Sequence, residues 1–232
     1  MIVYDGIDIR SVADVKIEDI RVSAIQFSPV ARPRSVAAGA EFVRNRAGTR
    51  TVTVTFALLQ MDRAARQAAL MALNAWAKTD KEYRIDVPDH PDHYLTGVCT
   101  SKPDPSLRQW WESKLRIVFT CYDNPYWTSK VEKSVACGTQ FYVQGDAVPL
   151  MRIVKSRESD ASDVQYALNG KTLRFTTVPS GDMVIDVNRQ TARVGTTSIM
   201  QYYNIVSRWI EPTTGAQTVT GDGVVKYRER WS

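Results

Sequence analysis

The stretch Thr51-Val52-Thr53-Val54-Thr55-Phe56-Ala57-Leu58 alternates polar and apolar residues without a break. A strand points successive side chains to opposite faces, so Val52, Val54, Phe56 and Leu58 line one face and the threonines the other. Directly after it, Asp62 stands where it can cap a helix running to about Lys78. In that helix Leu70, Leu73, Trp76 and Ala77 recur at helical spacing, Ala69 and Ala72 flank them, and Arg63, Arg66 and Lys78 are polar. A helix with one apolar stripe beside a half-buried strand is a helix that covers a sheet.

Two further strands are predicted at Tyr83 to Val87 and Tyr94 to Cys99, joined by the turn Pro88-Asp89-His90-Pro91-Asp92-His93. After the loop Lys102-Pro103-Asp104-Pro105, a segment from Leu107 to Tyr122 carries Leu115, Ile117, Phe119 and Cys121 in alternation. It ends at Asp123-Asn124-Pro125-Tyr126-Trp127, and the turn there places a domain boundary near residue 130. Beyond it no helix is expected. Short alternating runs follow at roughly ten-residue spacing, the pattern of a β-sandwich. Strands are read at 140–143, 150–154, 164–168, 172–176, 183–187, 191–194, 199–203, 216–220 and 224–227, with Asn169-Gly170 as a hairpin turn. The expected fold is mainly β, with an α+β domain over 1–130 and an all-β domain over 131–232.

The 232 residues are 44% hydrophobic and 24% charged, a globular composition that excludes collagen-like and disordered chains. No run approaches the about 18 apolar residues of a spanning helix, and Met1 to Arg10 lacks the pattern of a signal peptide, so a soluble protein made in a cytoplasm is expected. Cys99, Cys121 and Cys137 read as buried free thiols. His90 and His93 are the only histidines, and Pro91 between them prevents the helical spacing of a metal pair, so a turn is expected there rather than zinc.

The net charge of +5 is concentrated. Residues 32–66 carry Arg32, Arg34, Arg44, Arg46, Arg50, Arg63 and Arg66 against Glu41 and Asp62, which equals the whole excess. Guanidinium groups make bidentate contacts with carboxylates, so a partner-binding surface and a solvated loop both fit. No helix-turn-helix, zinc-finger or aromatic RNA-binding pattern accompanies these arginines, so specific nucleic-acid binding is not expected.

Chemistry is absent from the motifs. Gly170-Lys171-Thr172 resembles the end of a phosphate-binding loop, but Gln165 stands where its first glycine belongs. Gly221-Asp222-Gly223 would need a further glycine at Lys226, and no nucleophile elbow occurs. No enzyme and no cofactor are expected. Trp209, Trp231, Tyr202, Tyr203 and Tyr227 suit a carbohydrate-binding module, although aromatics at alternate strand positions more commonly fill the space between two sheets.

The order of these features resembles the distal tail protein (Dit) family of long-tailed siphophages over nearly the whole chain. The resemblance rests on Arg50 to Leu58 with the following helix, Tyr83 to Val98, Leu115 to Tyr126, Gly181-Asp182-Met183-Val184-Ile185-Asp186, and Val225-Lys226-Tyr227-Arg228-Glu229-Arg230-Trp231. It implies a tail-tube-like first domain, a sandwich or split barrel with a flanking helix and a belt hairpin, followed by a galectin-like sandwich. It also implies a hexameric ring at the tail tip that joins the tail tube protein and tape measure protein to a tail-associated hub or lysin protein and a receptor-binding protein. The localisation implied is the virion. The galectin sugar site uses a histidine, and none follows His93, so sugar binding is not carried over with the fold. The arginine-rich segment falls where the family has its belt. Arg32, Arg34, Arg44, Arg46 and Arg50 then form one candidate subunit interface, and Asp14, Glu18 and Asp19, with Asp5 and Asp8 nearby, form the acidic counterpart. A tail-tube protein and a monomeric carbohydrate-binding module are the alternatives.

Overall fold

A computed structural model describes residues 1–33, 40–103 and 114–232, with the backbone alone for 31–33 and 40–46. It divides into two compact units, Met1–Trp127 with Ser232, and Thr128–Trp231.

The first unit contains β1 (Val3–Tyr4), β2 (Ile7–Asp8), a short helix α1 (Ile9–Val12), β3 (Val15–Val22), β4 (Phe27–Pro33), β5 (Ala40–Ala47) and β6 (Arg50–Leu58). These are followed by α2 (Arg63–Trp76), β7 (Tyr83–Asp86), β8 (His93–Ser101) and β9 (Leu115–Cys121). Seven strands form one antiparallel sheet in the order β3-β6-β9-β8-β7-β1-β2. The Thr/Val strand lies between β3 and β9 in it, and Val52, Val54, Phe56 and Leu58 are all buried as the alternation requires. Asp62 caps α2 by accepting a hydrogen bond from the Ala65 N–H at 2.9 Å. The helix buries Ala69, Leu70, Leu73 and Trp76, and the Trp76 ring meets Tyr4 and Phe119 edge-on at 5.7 and 6.0 Å. Burying this stripe together with Phe56, Phe119 and Ile117 supplies the unit's hydrophobic stabilisation. Arg66, expected on the polar side, is buried too, because it stands one helical repeat ahead of Ala69, Leu70 and Leu73. The part of the expected 107–122 segment between 107 and 113 lies outside the described residues, as does the loop from Asp104.

β3 has a bulge at Glu18, where the register shifts between Ile17 and Asp19. The extra residue resets the period, so Val15 and Ile17 before it, and Ile20 and Val22 after it, all stand opposite Leu58, Phe56, Val54 and Val52.

β10 (Trp127–Ser129) leads into the second unit, which contains β11 (Lys133–Ala136), β12 (Gln140–Val143), β13 (Ala147–Arg157), β14 (Ala161–Leu168) and β15 (Lys171–Val178). The remainder comprises β16 (Gly181–Asp186), β17 (Thr191–Val194), β18 (Thr197–Ser198), β19 (Gly215–Thr218) and β20 (Val224–Trp231). One layer runs β18-β17-β16-β13-β20-β11. The other consists of the β14–β15 hairpin and the β12–β19 pair, linked by the bridge Ala167↔Thr220. Met151, Ile153, Ile185 and Val225 from the first layer share a core with Tyr166, Leu173, Phe175 and Val219 from the second. Asn169 and Gly170 both have positive φ, +49° and +73°, as the two-residue hairpin between β14 and β15 demands.

The strand expected at 199–203 is instead a 3-10 turn, Met200–Tyr202. Tyr202 and Tyr203 donate to the carbonyls of Ile199 and Met200, which turns the Tyr203 ring inward onto Phe175 and Trp209. Core packing of the tyrosine overrides the short alternation.

Candidate assembly interface

β3 runs into β4 and β5 runs into β6; the β4–β5 pair is a two-stranded sheet of its own, joined to the β3–β6 pair by backbone hydrogen bonds that the Ser23 and Gln26 N–H groups donate to the Thr51 and Thr49 carbonyls. Val22 faces Val52 at the end of the first pair, and Phe27 faces Ala47 at the start of the second. The connection is kept close by Gly48, whose N–H donates to the Gln26 carbonyl at 2.6 Å; a Cβ at this position would lie 2.7 Å from that oxygen. β3 with β4 on one side and β5 with β6 on the other therefore form a long antiparallel ribbon. Its base lies within the sheet, with β9 along the outer side of β6. β9 ends at Cys121 opposite Arg50, and beyond that point, among the described residues, β4 and β5 pair only with each other. Seven residues at about 3.3 Å each carry this two-stranded arm about 23 Å. Phe27 and Val30 on it are exposed.

The sequence-predicted interface residues separate into distinct settings. Arg32, Arg44 and Arg46 stand on the arm, with Arg32 opposite Glu41, Arg44 opposite Val30 and Arg46 opposite Ser28. Arg34 lies outside the described residues. Arg50 is not with them. It is buried at 4% exposure at the arm's root, with its guanidinium carbon 5.6 Å from the centroid of the Trp127 ring. His90 stacks on the same indole at 4.0 Å, so the Pro-Asp-His turn is held by an aromatic contact. Arg50, His90 and Trp127, with Ile25 and Phe27, border a depression of about 430 Å³.

On the acidic side, Glu18 and Asp19 sit at the β3 bulge, where Glu18 meets Lys114 at 3.4 Å and Asp19 accepts from Arg21 at 2.5 Å. Asp14 is exposed and its carbonyl accepts the Leu59 N–H. Asp5 pairs with Lys78 at 2.6 Å, a contact that raises the Lys78 pKa, and Asp8 caps α1. The acidic residues thus lie along β3 and at the β1–β2 end of the same sheet.

In the second unit Trp209 and Tyr227 are buried, and the Trp209 indole donates to the Val187 carbonyl at 2.8 Å. Cys99 and Cys121 are free and buried, and Cys137 is free and half-buried. Burial pushes the Cys121 thiol up to about 12. Glu229, which sequence reasoning did not single out, is buried and accepts from Lys133 Nζ and the Gln144 N–H, each at 2.9 Å. Its alternation with Val225 and Tyr227 on β20 was the available signal. Among the described residues, no three His, Cys, Asp or Glu gather closely enough to hold a metal ion, and no helix is long and apolar enough to cross a membrane.

No protein-family model matches the chain, and no curated protein matches it in sequence. Solved structures do match. The chain is similar to the SPP1 Dit (gp 19.1) protein, described as a paradigm of the hub adsorption apparatus in phages that infect Gram-positive bacteria. The match has 18% identity and a TM-score of 0.74, covering 100% of this chain and 98% of that one. It is also similar to a chain of the phage P2 baseplate in its activated conformation with Ca, at 7% identity and a TM-score of 0.52, covering 96% and 92%. Over its whole length the chain has the β-rich fold of the SPP1 Dit protein.

Proposed function

We propose that this chain is a distal tail protein, an architectural hub in a phage tail tip. The observation that carries the reading is the end-to-end correspondence with SPP1 Dit, through both units, at a TM-score of 0.74. In this reading the first unit closes into a six-membered ring, with the β4–β5 arm as the belt that reaches a neighbouring copy. The second unit is a galectin-like sandwich on the outside. The ring joins the tail tube and tape measure on one side to a hub or lysin protein and a receptor-binding protein on the other. The chain is made in the host cytoplasm and resides in the virion. The role requires no turnover.

A ring of identical subunits needs two different complementary surfaces on each copy. The arginine-bearing arm and the acidic positions of the β3 edge fit that need. Light scattering with electron microscopy of the purified full chain tests the reading. A hexamer of 26.1 kDa chains has a mass of about 157 kDa and six-fold images. Filaments would point to a tail-tube protein, and a glycan-binding monomer to a carbohydrate module.

A further inference from the structure

The first layer of the second unit turns one face to the core and the other away from it, and the register fixes what stands on the outward face. Val184 lies opposite Val154, Val154 opposite Val224, and Val224 opposite Ala136, so four apolar side chains form a row across β16, β13, β20 and β11. At about 4.8 Å between strands the row is about 14 Å long. Val224 is 38% exposed, Ala136 is exposed, and Val154 and Val184 are half-buried. The outward face of such a sheet is ordinarily polar, so an apolar row across four strands marks a surface that a partner covers. On it lies a depression of about 520 Å³, bordered by Val154, Val224, Gly223 and Lys226 and by the ion pair of Lys155 with Asp222 at 3.0 Å. A Cβ at Gly223 would lie 2.6 Å from the Val154 carbonyl oxygen, so the close approach of the two backbones there requires glycine.

The charges beside the row are unevenly satisfied. Arg152 stands directly opposite Lys226, and like charges at opposed positions work against the strand pair that carries them. Arg152 Nη2 donates to both Glu132 oxygens at 2.9 Å, which leaves Lys226 as the unbalanced cation of the pair and the one unbalanced charge in the depression. Arg193, opposite Val184, extends the row at its far end. Among the described residues no carboxylate pairs with Lys226 or Arg193. Asp186, beside Arg152, accepts the Arg189 N–H, and Asp182 lies opposite Ser156, on the side of the row away from Lys226.

We propose that this face docks an extended segment of another protein, one that lays aliphatic side chains on the valine row and a carboxylate on Lys226. The carboxylate offsets the repulsion between Lys226 and Arg152, and the aliphatic groups remove Val154, Val184 and Val224 from water. A nucleic acid or free phosphate would use the cations and leave the valines uncovered. The surface lies wholly within the second unit and goes beyond the ring reading, on which it does not depend.

Labelled peptides and the full chain test it by fluorescence anisotropy. Fluorescein-Glu-Leu-Glu-Leu-Glu-amide is expected to bind at least about tenfold more tightly than the same peptide with lysine for glutamate or serine for leucine. Val154→Asp and Lys226→Glu should each weaken it about tenfold, while Arg208→Glu, on the exposed segment beside β15, should change nothing. On the parent chain the peptide should also protect Lys226 from an amine-acylating reagent and leave exposed Lys16 of the first unit as reactive as before, a readout that needs no variant. Equal binding of the serine peptide would make the face a general anion surface and overturn the proposal. Equal binding of the lysine peptide, or a Lys226 that stays reactive with the peptide bound, overturns it as well, and none of these results touches the ring.

Discussion

Replacing Phe119 by Ala removes a fully buried ring from the centre of the first unit. Phe119 lies opposite Val52 on β6 and Cys99 on β8, 4.6 Å from the Tyr4 ring and 6.0 Å from Trp76. Large-to-small changes of this kind cost about 3 to 5 kcal/mol, because the removed atoms lose their transfer energy and the remaining cavity collapses only in part. Cys121, two residues on along β9, reports the loss directly. It is fully buried, and burial holds its thiol pKa at about 12, so it can react with an alkylating reagent only when the unit opens. If opening and closing are fast relative to labelling, the rate follows the opening equilibrium. It should then rise from about a hundredfold to several thousandfold in Phe119→Ala, since each 1.4 kcal/mol is a factor of ten. Mass spectrometry of labelled peptides separates Cys121 from Cys137, which lies in the second unit and should keep its rate. A rise below about tenfold at Cys121, or an equal rise at Cys137, would refute the placement of Phe119 at the centre of a core belonging to the first unit.

Four other perturbations have defined outcomes. Glu229→Ala should cost about 2 to 3 kcal/mol in denaturant unfolding, because the Gln144 N–H loses its charged acceptor, whereas Lys133→Ala, whose side chain is 41% exposed, should cost no more than about 1 kcal/mol. Stability should fall as pH rises from 9 towards 12, since the unfolded chain releases the Cys121 proton near 9 while the folded chain holds it to about 12; Cys121→Ala should flatten part of that slope. Gly48→Ala should cost about 1 to 3 kcal/mol by forcing its Cβ against the Gln26 carbonyl, and amide exchange should increase first at the ribbon's root. Arg50→Ala should lower stability by about 2 kcal/mol through loss of its contact with Trp127, while Arg44→Glu with Arg46→Glu should leave the melting of the chain alone and abolish assembly at low salt.

β6 and α2 were legible because one period persists along each, although α2 ends at Trp76 rather than near Lys78, and burial in both follows the period one step further. Two steps back from Val52 fall on Arg50, so the burial of that arginine was already written in the alternation. Arg66 follows likewise from the spacing of Ala69, Leu70 and Leu73. Strands β12 and β17 fall at the residues their patterns indicated, and Asn169-Gly170 makes the turn its chemistry allows. β3 escaped the same reading because the bulge at Glu18 breaks its period in the middle, and neither half alone is long enough to register. The arm was visible only through the family resemblance: Pro29 and Pro33 argue locally against a strand, and become compatible with one only where their nitrogens face away from the partner. The 199–203 segment misled because five residues of alternation cannot tell a strand from a turn whose tyrosine packs inward.

The excess of positive charge in residues 32–66 therefore has two different physical meanings. Arg50 and Arg66 are enclosed within the first unit, where moving a guanidinium out of water demands compensating contacts and a substitution threatens the fold. Arg32, Arg44 and Arg46 stand on an arm that pairs with nothing but itself among the described residues. An isolated two-stranded hairpin is marginal in water, so an arm of this length bearing like charges gains stability when a third strand and opposite charges arrive together. The arginines of one segment thus divide into those enclosed within the first unit, which a substitution turns against the fold, and those carried on its arm, which a substitution leaves to the surface.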